Sequence, residues 1–217
     1  KEKSGSRLDP TSAFDLSRLN KIDNFETGLT GTLGFDYKIK NNSQDFNISA
    51  AQIFNEKENK KMSSVSSLDE KNSDLVGAVS ATLNKNINLS YNFNLDQNYK
   101  DINYSDIGTQ MNFGALNINF NYLKEQKHIG NNNYFKSKIS LRNNDNGLFT
   151  FETKRNLITD SSEFYDLSYE YINDCLRAGL VYRREFYNDS ELEAENSLLF
   201  KITLVPFGNI NSPMINR

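Results

Sequence analysis

Apolar and polar residues alternate singly along most of this chain, in runs of about ten positions broken by polar turns. Ile87, Leu89, Tyr91, Phe93 and Leu95 take one set of positions; Asn88, Ser90, Asn92, Asn94 and Asp96 take the other. Side chains of a β-strand point alternately to opposite faces, so this run predicts a strand with one apolar and one polar face. The same pattern returns about eleven times with almost no helical interruption. The first predicted strand covers 25–39, with Leu29, Gly31, Leu33, Phe35, Tyr37 and Ile39 on its apolar face. Phe46, Ile48, Ala50 and Phe54 mark the second, and Leu75, Gly77, Val79, Ala81 and Leu83 the third. The run quoted above is the fourth. Ile107, Thr109, Met111 and Phe113 mark the fifth, and Leu116, Ile118, Phe120 and Tyr122 the sixth, with Asn117, Asn119 and Asn121 opposite. The seventh to tenth rest on Phe135, Ser137, Ile139 and Leu141; Phe149 and Phe151; Tyr165, Leu167, Tyr169 and Tyr171; and Leu176, Ala178, Leu180 and Tyr182. Leu198, Phe200, Ile202 and Leu204 make the last. Strands of this length suit a bilayer when tilted, whereas soluble strands average about five or six residues. The expected fold is all-β: an antiparallel transmembrane β-barrel segment of about eleven meandering strands.

The connections alternate in length, short at 41–45, 84–86, 114–115, 143–147 and 173–174, longer at 55–74, 96–103, 123–133, 156–163 and 187–194. Outer-membrane barrels turn tightly on the periplasmic side and carry long loops outside, which places the C-terminus in the periplasm. The expected organisation is an external loop over 1–24, barrel strands over 25–208 and a periplasmic tail over 209–217. Single-chain bacterial barrels have even strand counts, and open edges in lipid leave backbone groups unsatisfied at several kcal/mol each. An odd count of eleven therefore predicts an incomplete barrel. No basic stretch followed by an apolar one opens the chain, so the secretory signal such a protein needs is expected on preceding sequence.

The chain has 217 residues and a net charge of -3, and its mean hydropathy is -0.67. No stretch approaches 18 uncharged apolar residues, which excludes a membrane-spanning helix. A negative mean does not weigh against a barrel, whose apolar band occupies alternate positions only. Lys and Arg are scattered rather than striped, so nucleic acid is not an expected partner. His128 has no second His and no Cys nearby; it reads as a solvated side chain of an outer loop, and no metal site is expected. It lies about 47 positions from Cys175, on the opposite membrane side in this topology, and no Gly-x-Ser-x-Gly or paired-His motif appears. Neither catalytic residues nor a cofactor are expected. Cys175 directly follows the predicted periplasmic turn Asn173-Asp174 and is either an inert buried thiol or half of a disulfide whose partner lies outside this chain. A polar lumen requires the Asn-rich faces whether or not they touch a substrate. A soluble sandwich or solenoid is the competing fold, disfavoured by long strands and one alternation kept through eleven of them. Among outer-membrane barrels, a porin, an autotransporter pore or an enzyme would show the same alternation.

The run Tyr169-Glu170-Tyr171-Ile172-Asn173-Asp174-Cys175-Leu176-Arg177-Ala178-Gly179-Leu180-Val181-Tyr182-Arg183-Arg184-Glu185-Phe186 resembles the end of the LPS-assembly protein LptD (OstA) family. So do Asp189 to Glu191 with Ser197 to Gly208, as a final external loop and terminal strand, and Phe25-Glu26-Thr27-Gly28, as entry into a barrel strand. The resemblance implies a barrel of about 26 strands, with these eleven as its C-terminal part and a jelly-roll domain before it. The partners it implies are lipopolysaccharide, outer-membrane lipids, a plug lipoprotein (LptE-like) in the lumen and a periplasmic bridge protein reached through the N-terminal domain. The sugar part of the cargo would cross the polar lumen while its lipid part leaves through a lateral gate, without catalysis. Cys175 matches the family's C-terminal cysteine, disulfide-bonded to the N-terminal region; many relatives have two adjacent cysteines, whereas Asp174 and Leu176 flank this one. Leu198, Phe200, Ile202, Leu204 and Pro206 match the last strand, one lip of the gate. Pro206 lacks an N–H and is expected to end ladder pairing there.

Overall fold

The computed structural model describes residues 7–15, 18, 28–60, 62, 64–128, 130–143, 146–186, 195–204 and 208–211. Its strands are β1 (Thr30–Lys40), β2 (Asp45–Asn55), β3 (Leu75–Asn84), β4 (Ile87–Leu95), β5 (Ile102–Phe113), β6 (Leu116–Glu125), β7 (Asn132–Asn143), β8 (Gly147–Asn156), β9 (Ser161–Ile172), β10 (Leu176–Glu185), β11 (Glu195–Leu204) and β12 (Gly208–Asn211). They form one sheet in chain order. All eleven strands marked by the alternation are present. The short β12 follows them, pairing antiparallel with positions 201–204 of β11. The described residues thus carry twelve strands. Residues 25–27 of the first expected strand lie outside the described residues; β1 itself begins two positions after Gly28, which takes a φ of +104°.

Asparagine makes the turns. The Asn173 side-chain oxygen accepts the N–H groups of Cys175 (3.0 Å) and Leu176 (2.7 Å). Asn84 does the same for Asn86, and Asn156 for Ile158 and Thr159. A short polar side chain that mimics a backbone carbonyl is the reason such residues favour tight reversals. Gly114 supplies the positive φ, +60°, of the two-residue β5–β6 turn. The β8–β9 connection, 157–160, is shorter than its sequence suggested because β8 and β9 run on through polar residues at their ends.

Two compact units divide the chain. The first comprises residues 1–108 and 122–133, the second 109–121 and 134–217, so β5 and β6 contribute to both. In the first unit the register sets Phe35 opposite Ala50, Tyr37 opposite Ile48 and Val79 opposite Tyr91, one apolar face throughout. That face is open: Leu33 is 72% exposed and Phe35 56%. The buried apolar side chains lie on the other face, where Ala51, Ile53 and Val76 meet Leu8 and Ala13 of the segment 7–15 and Met62 and Leu68 of the β2–β3 connection. Gly34 admits that segment, because a Cβ there would lie 2.7 Å from the Phe14 ring and 2.6 Å from the Ala50 carbonyl oxygen. Thr32 ties it down by donating to the Ala13 carbonyl oxygen at 3.0 Å. The second unit repeats the inversion, with Leu167, Leu180 and Phe200 all exposed on the apolar face of β9, β10 and β11.

Candidate functional site

In the first unit a charge cluster gathers at the ends of β3, β5 and β6. Asp74 immediately precedes β3, Glu125 ends β6, and His128 lies three residues on in the β6–β7 connection. The His128 ring sits between the two carboxylates, Nδ1 at 3.1 Å from Glu125 Oε1 and Nε2 at 3.2 Å from Asp74 Oδ2. Backbone N–H groups of Lys127 and His128 also donate to Glu125 Oε1, at 3.1 and 2.9 Å. Asn103 donates to Asp74 Oδ2 at 2.9 Å, and the Lys127 ammonium lies 3.2 Å from Asp74 Oδ1. Arg7 closes the far side, 3.3 Å from Glu125 Oε2, with its guanidinium stacked 3.5 Å above the Tyr104 ring.

His128 is therefore not solvated, contrary to the sequence expectation; its side chain is fully buried. Burial alone would lower the pKa of the imidazole, but hydrogen bonds and charge from Asp74 and Glu125 outweigh that and raise it. Burial alone would likewise raise the Asp74 carboxyl. Hydrogen bonds from His128, Ser67 and Asn103, with the Lys127 ammonium, instead bring it down to about 2. Ser67 lies 3.3 Å from His128 Nε2 on a backbone with φ of +61°. Ser67, His128 and Glu125 thus share the connectivity of a hydrolase triad. Nε2 also faces Asp74 Oδ2, a second carboxylate that such a triad does not have. Ser67 is also buried. The cluster fastens the segment 7–15, the start of β3 and the β6–β7 connection to one another.

The Asn faces bond to themselves and to the backbone. Asn94 donates to the Leu8 carbonyl oxygen at 3.1 Å, Thr82 donates to Asn88, Asn119 to Asn117 and Asn117 to Asn112. In the second unit the polar face carries ions. Glu152 takes Lys136 at 2.7 Å and Lys138 at 3.3 Å, and Asp166 receives the Arg183 guanidinium through two hydrogen bonds of 2.7 and 2.6 Å. Cys175 is an exposed free thiol in the β9–β10 turn. Leu198, Phe200, Ile202 and Leu204 share the apolar face of β11, opposite Tyr182, Leu180, Ala178 and Leu176. Pro206 lies outside the described residues.

An antiparallel sheet of long, chain-ordered strands that leaves its aromatic and aliphatic face open has the pattern of strands that meet lipid in an outer-membrane β-barrel. The family model of LptD, LPS transport system D, matches residues 3–157, and the chain belongs to this outer-membrane transport family. The match includes Phe25-Glu26-Thr27-Gly28, while the other residues quoted for the resemblance, from Tyr169 on, lie beyond it. No curated protein matches.

Proposed function

We propose that this chain is barrel sequence of an outer-membrane lipopolysaccharide translocon, whose polar face lines the path of the saccharide and whose apolar face meets lipid. The observation that carries this reading is the inverted burial of a family member: large apolar side chains exposed along whole strands while charged groups are buried. Transport needs no covalent step, in keeping with a His128 that is locked between carboxylates. In this reading β11, which carries Leu198, Phe200, Ile202 and Leu204, forms with Pro206 and the short β12 paired to its positions 201–204 one lip of a lateral gate in a barrel of about 26 strands. The exposed Cys175 pairs with a cysteine of a periplasmic domain, an LptE-like lipoprotein plugs the lumen, and a periplasmic bridge protein delivers the cargo. A porin or autotransporter reading is displaced by the family assignment.

The test uses the full-length protein in cells. Ser197→Cys, tethered by a disulfide to a cysteine introduced on the first strand of the full-length barrel, is expected to stop lipopolysaccharide reaching the surface, and reduction is expected to restore it. Undiminished surface lipopolysaccharide with the tether closed would overturn the gate. Export unchanged in Pro206→Ala would remove the proline from it.

A further inference from the structure

On the charged face of the second unit several lysines and arginines are ion-paired, and two neighbouring ones are not. Arg177 of β10 and Lys201 of β11 both lie on the polar face, since Leu176, Ala178 and Ile202 occupy the other. Lys201 stands opposite Gly179 and Arg177 opposite Thr203, so the two cations are diagonal neighbours, with backbones about 7–8 Å apart. Among the described residues neither has a carboxylate within ion-pair distance, whereas Lys136, Lys138, Lys154 and Arg183 on the same unit all do. Between them lies Thr203, whose hydroxyl is buried and has no hydrogen-bond partner. A buried hydroxyl without a partner costs free energy, and two unpaired cations at this spacing repel each other. A single anion with several acceptor oxygens relieves both.

We propose that Arg177, Lys201 and Thr203 form a subsite for a phosphoryl group, with the guanidinium and ammonium taking its charge and the Thr203 hydroxyl donating to a third oxygen. This deepens the proposed transport function and rests on it: the phosphoryl group is that of a phosphorylated glycolipid crossing the polar face. Arg supplies planar paired donors and Lys a mobile point charge, a common combination at phosphates. Glu170 sets the limit on affinity. It stands opposite Gly179, and its side chain lies over that residue, 3.2 Å from where a Cβ would be. It pairs with neither cation, yet its charge opposes an incoming anion.

The experiment measures binding of a phosphorylated glycolipid, its enzymatically dephosphorylated form and inorganic phosphate to the full-length protein in detergent. Arg177→Gln with Lys201→Gln is expected to weaken the phosphorylated lipid about ten-fold or more, from the loss of charged hydrogen bonds, and to leave the dephosphorylated lipid unchanged. Glu170→Gln is expected to tighten the phosphorylated lipid. The exchanges Arg177→Lys and Lys201→Arg keep the charge and are expected to keep most of the binding, which separates loss of the subsite from loss of the fold. Equal affinity of wild type and the double Gln variant for the phosphorylated lipid would overturn the subsite while leaving the transport reading standing. Phosphate binding that depends on Arg177 and Lys201, in a protein that takes up neither lipid, would support an anion subsite and overturn its glycolipid occupant.

Discussion

His128 is gripped from both sides. Its ring nitrogens face Glu125 and Asp74, so removing the ring leaves two buried carboxylates short of a counter-charge. His128→Gln is therefore expected to cost about 3–5 kcal/mol, read as a lower unfolding midpoint of the full-length protein in detergent. The pH dependence follows from the two directions of shift. A raised imidazole contributes stability that is complete below its ordinary value of 6.5 and is lost as pH rises through the folded value. A lowered Asp74 contributes stability that is complete above 3.8 and is lost as pH falls through about 2. The cluster is thus tightest between roughly pH 4 and 6.5. The ring resonance that is lost in His128→Gln reports the titration: a midpoint above 6.5 is expected, falling in Asp74→Asn. A midpoint at or below 6.5 would contradict the double grip. Little of this was legible in sequence. Glu125 and His128 are three apart, but Asp74 is 54 positions away and reaches the ring only because β3 and β6 end near each other.

The strands themselves were legible almost entirely, because period-two alternation is a direct consequence of backbone geometry and needs no knowledge of partners. Their polar ends were not, since an end residue such as Asn132 or Asn156 can pair in a ladder without showing any face preference. Nor was the burial in the connection 56–74, where Met62 and Leu68 are covered by Leu8 from the distant segment 7–15. Two contrasts test the faces. Leu180→Arg, outward, is expected to destabilise folding into bilayers by about 2–4 kcal/mol, while Val181→Arg on the polar face is expected to cost much less; equal costs would contradict the assignment. Gly77 stands opposite Phe93, whose ring lies where a Cβ would be. An aromatic ring covering a cross-strand glycine is a recurrent device of curved sheets. Gly77→Val must move the ring and is expected to cost about 1–3 kcal/mol by overpacking, measured by urea unfolding.

As a whole the molecule joins a generic scaffold to a particular cargo. The scaffold follows from alternation, and the cargo from family membership, which no count of strands could supply. Under the proposed function a disulfide from Cys175, exposed in the β9–β10 turn, would fix that turn to a domain beyond the barrel. On a non-reducing gel the full-length protein is expected to migrate differently from its reduced form, and Cys175→Ser is expected to reduce or abolish that difference; identical mobility in the wild type removes the bond. Chain-ordered pairing has a further consequence, for how the sheet grows. Each strand finds its template in the one just laid, across turns of two to six residues at most of the described reversals. The nineteen residues between β2 and β3 break that rhythm, adding about 2 kcal/mol of closure entropy over a two-residue turn. Zippering should therefore pause there, and the docking of Leu8, Met62 and Leu68 is what makes that step downhill again.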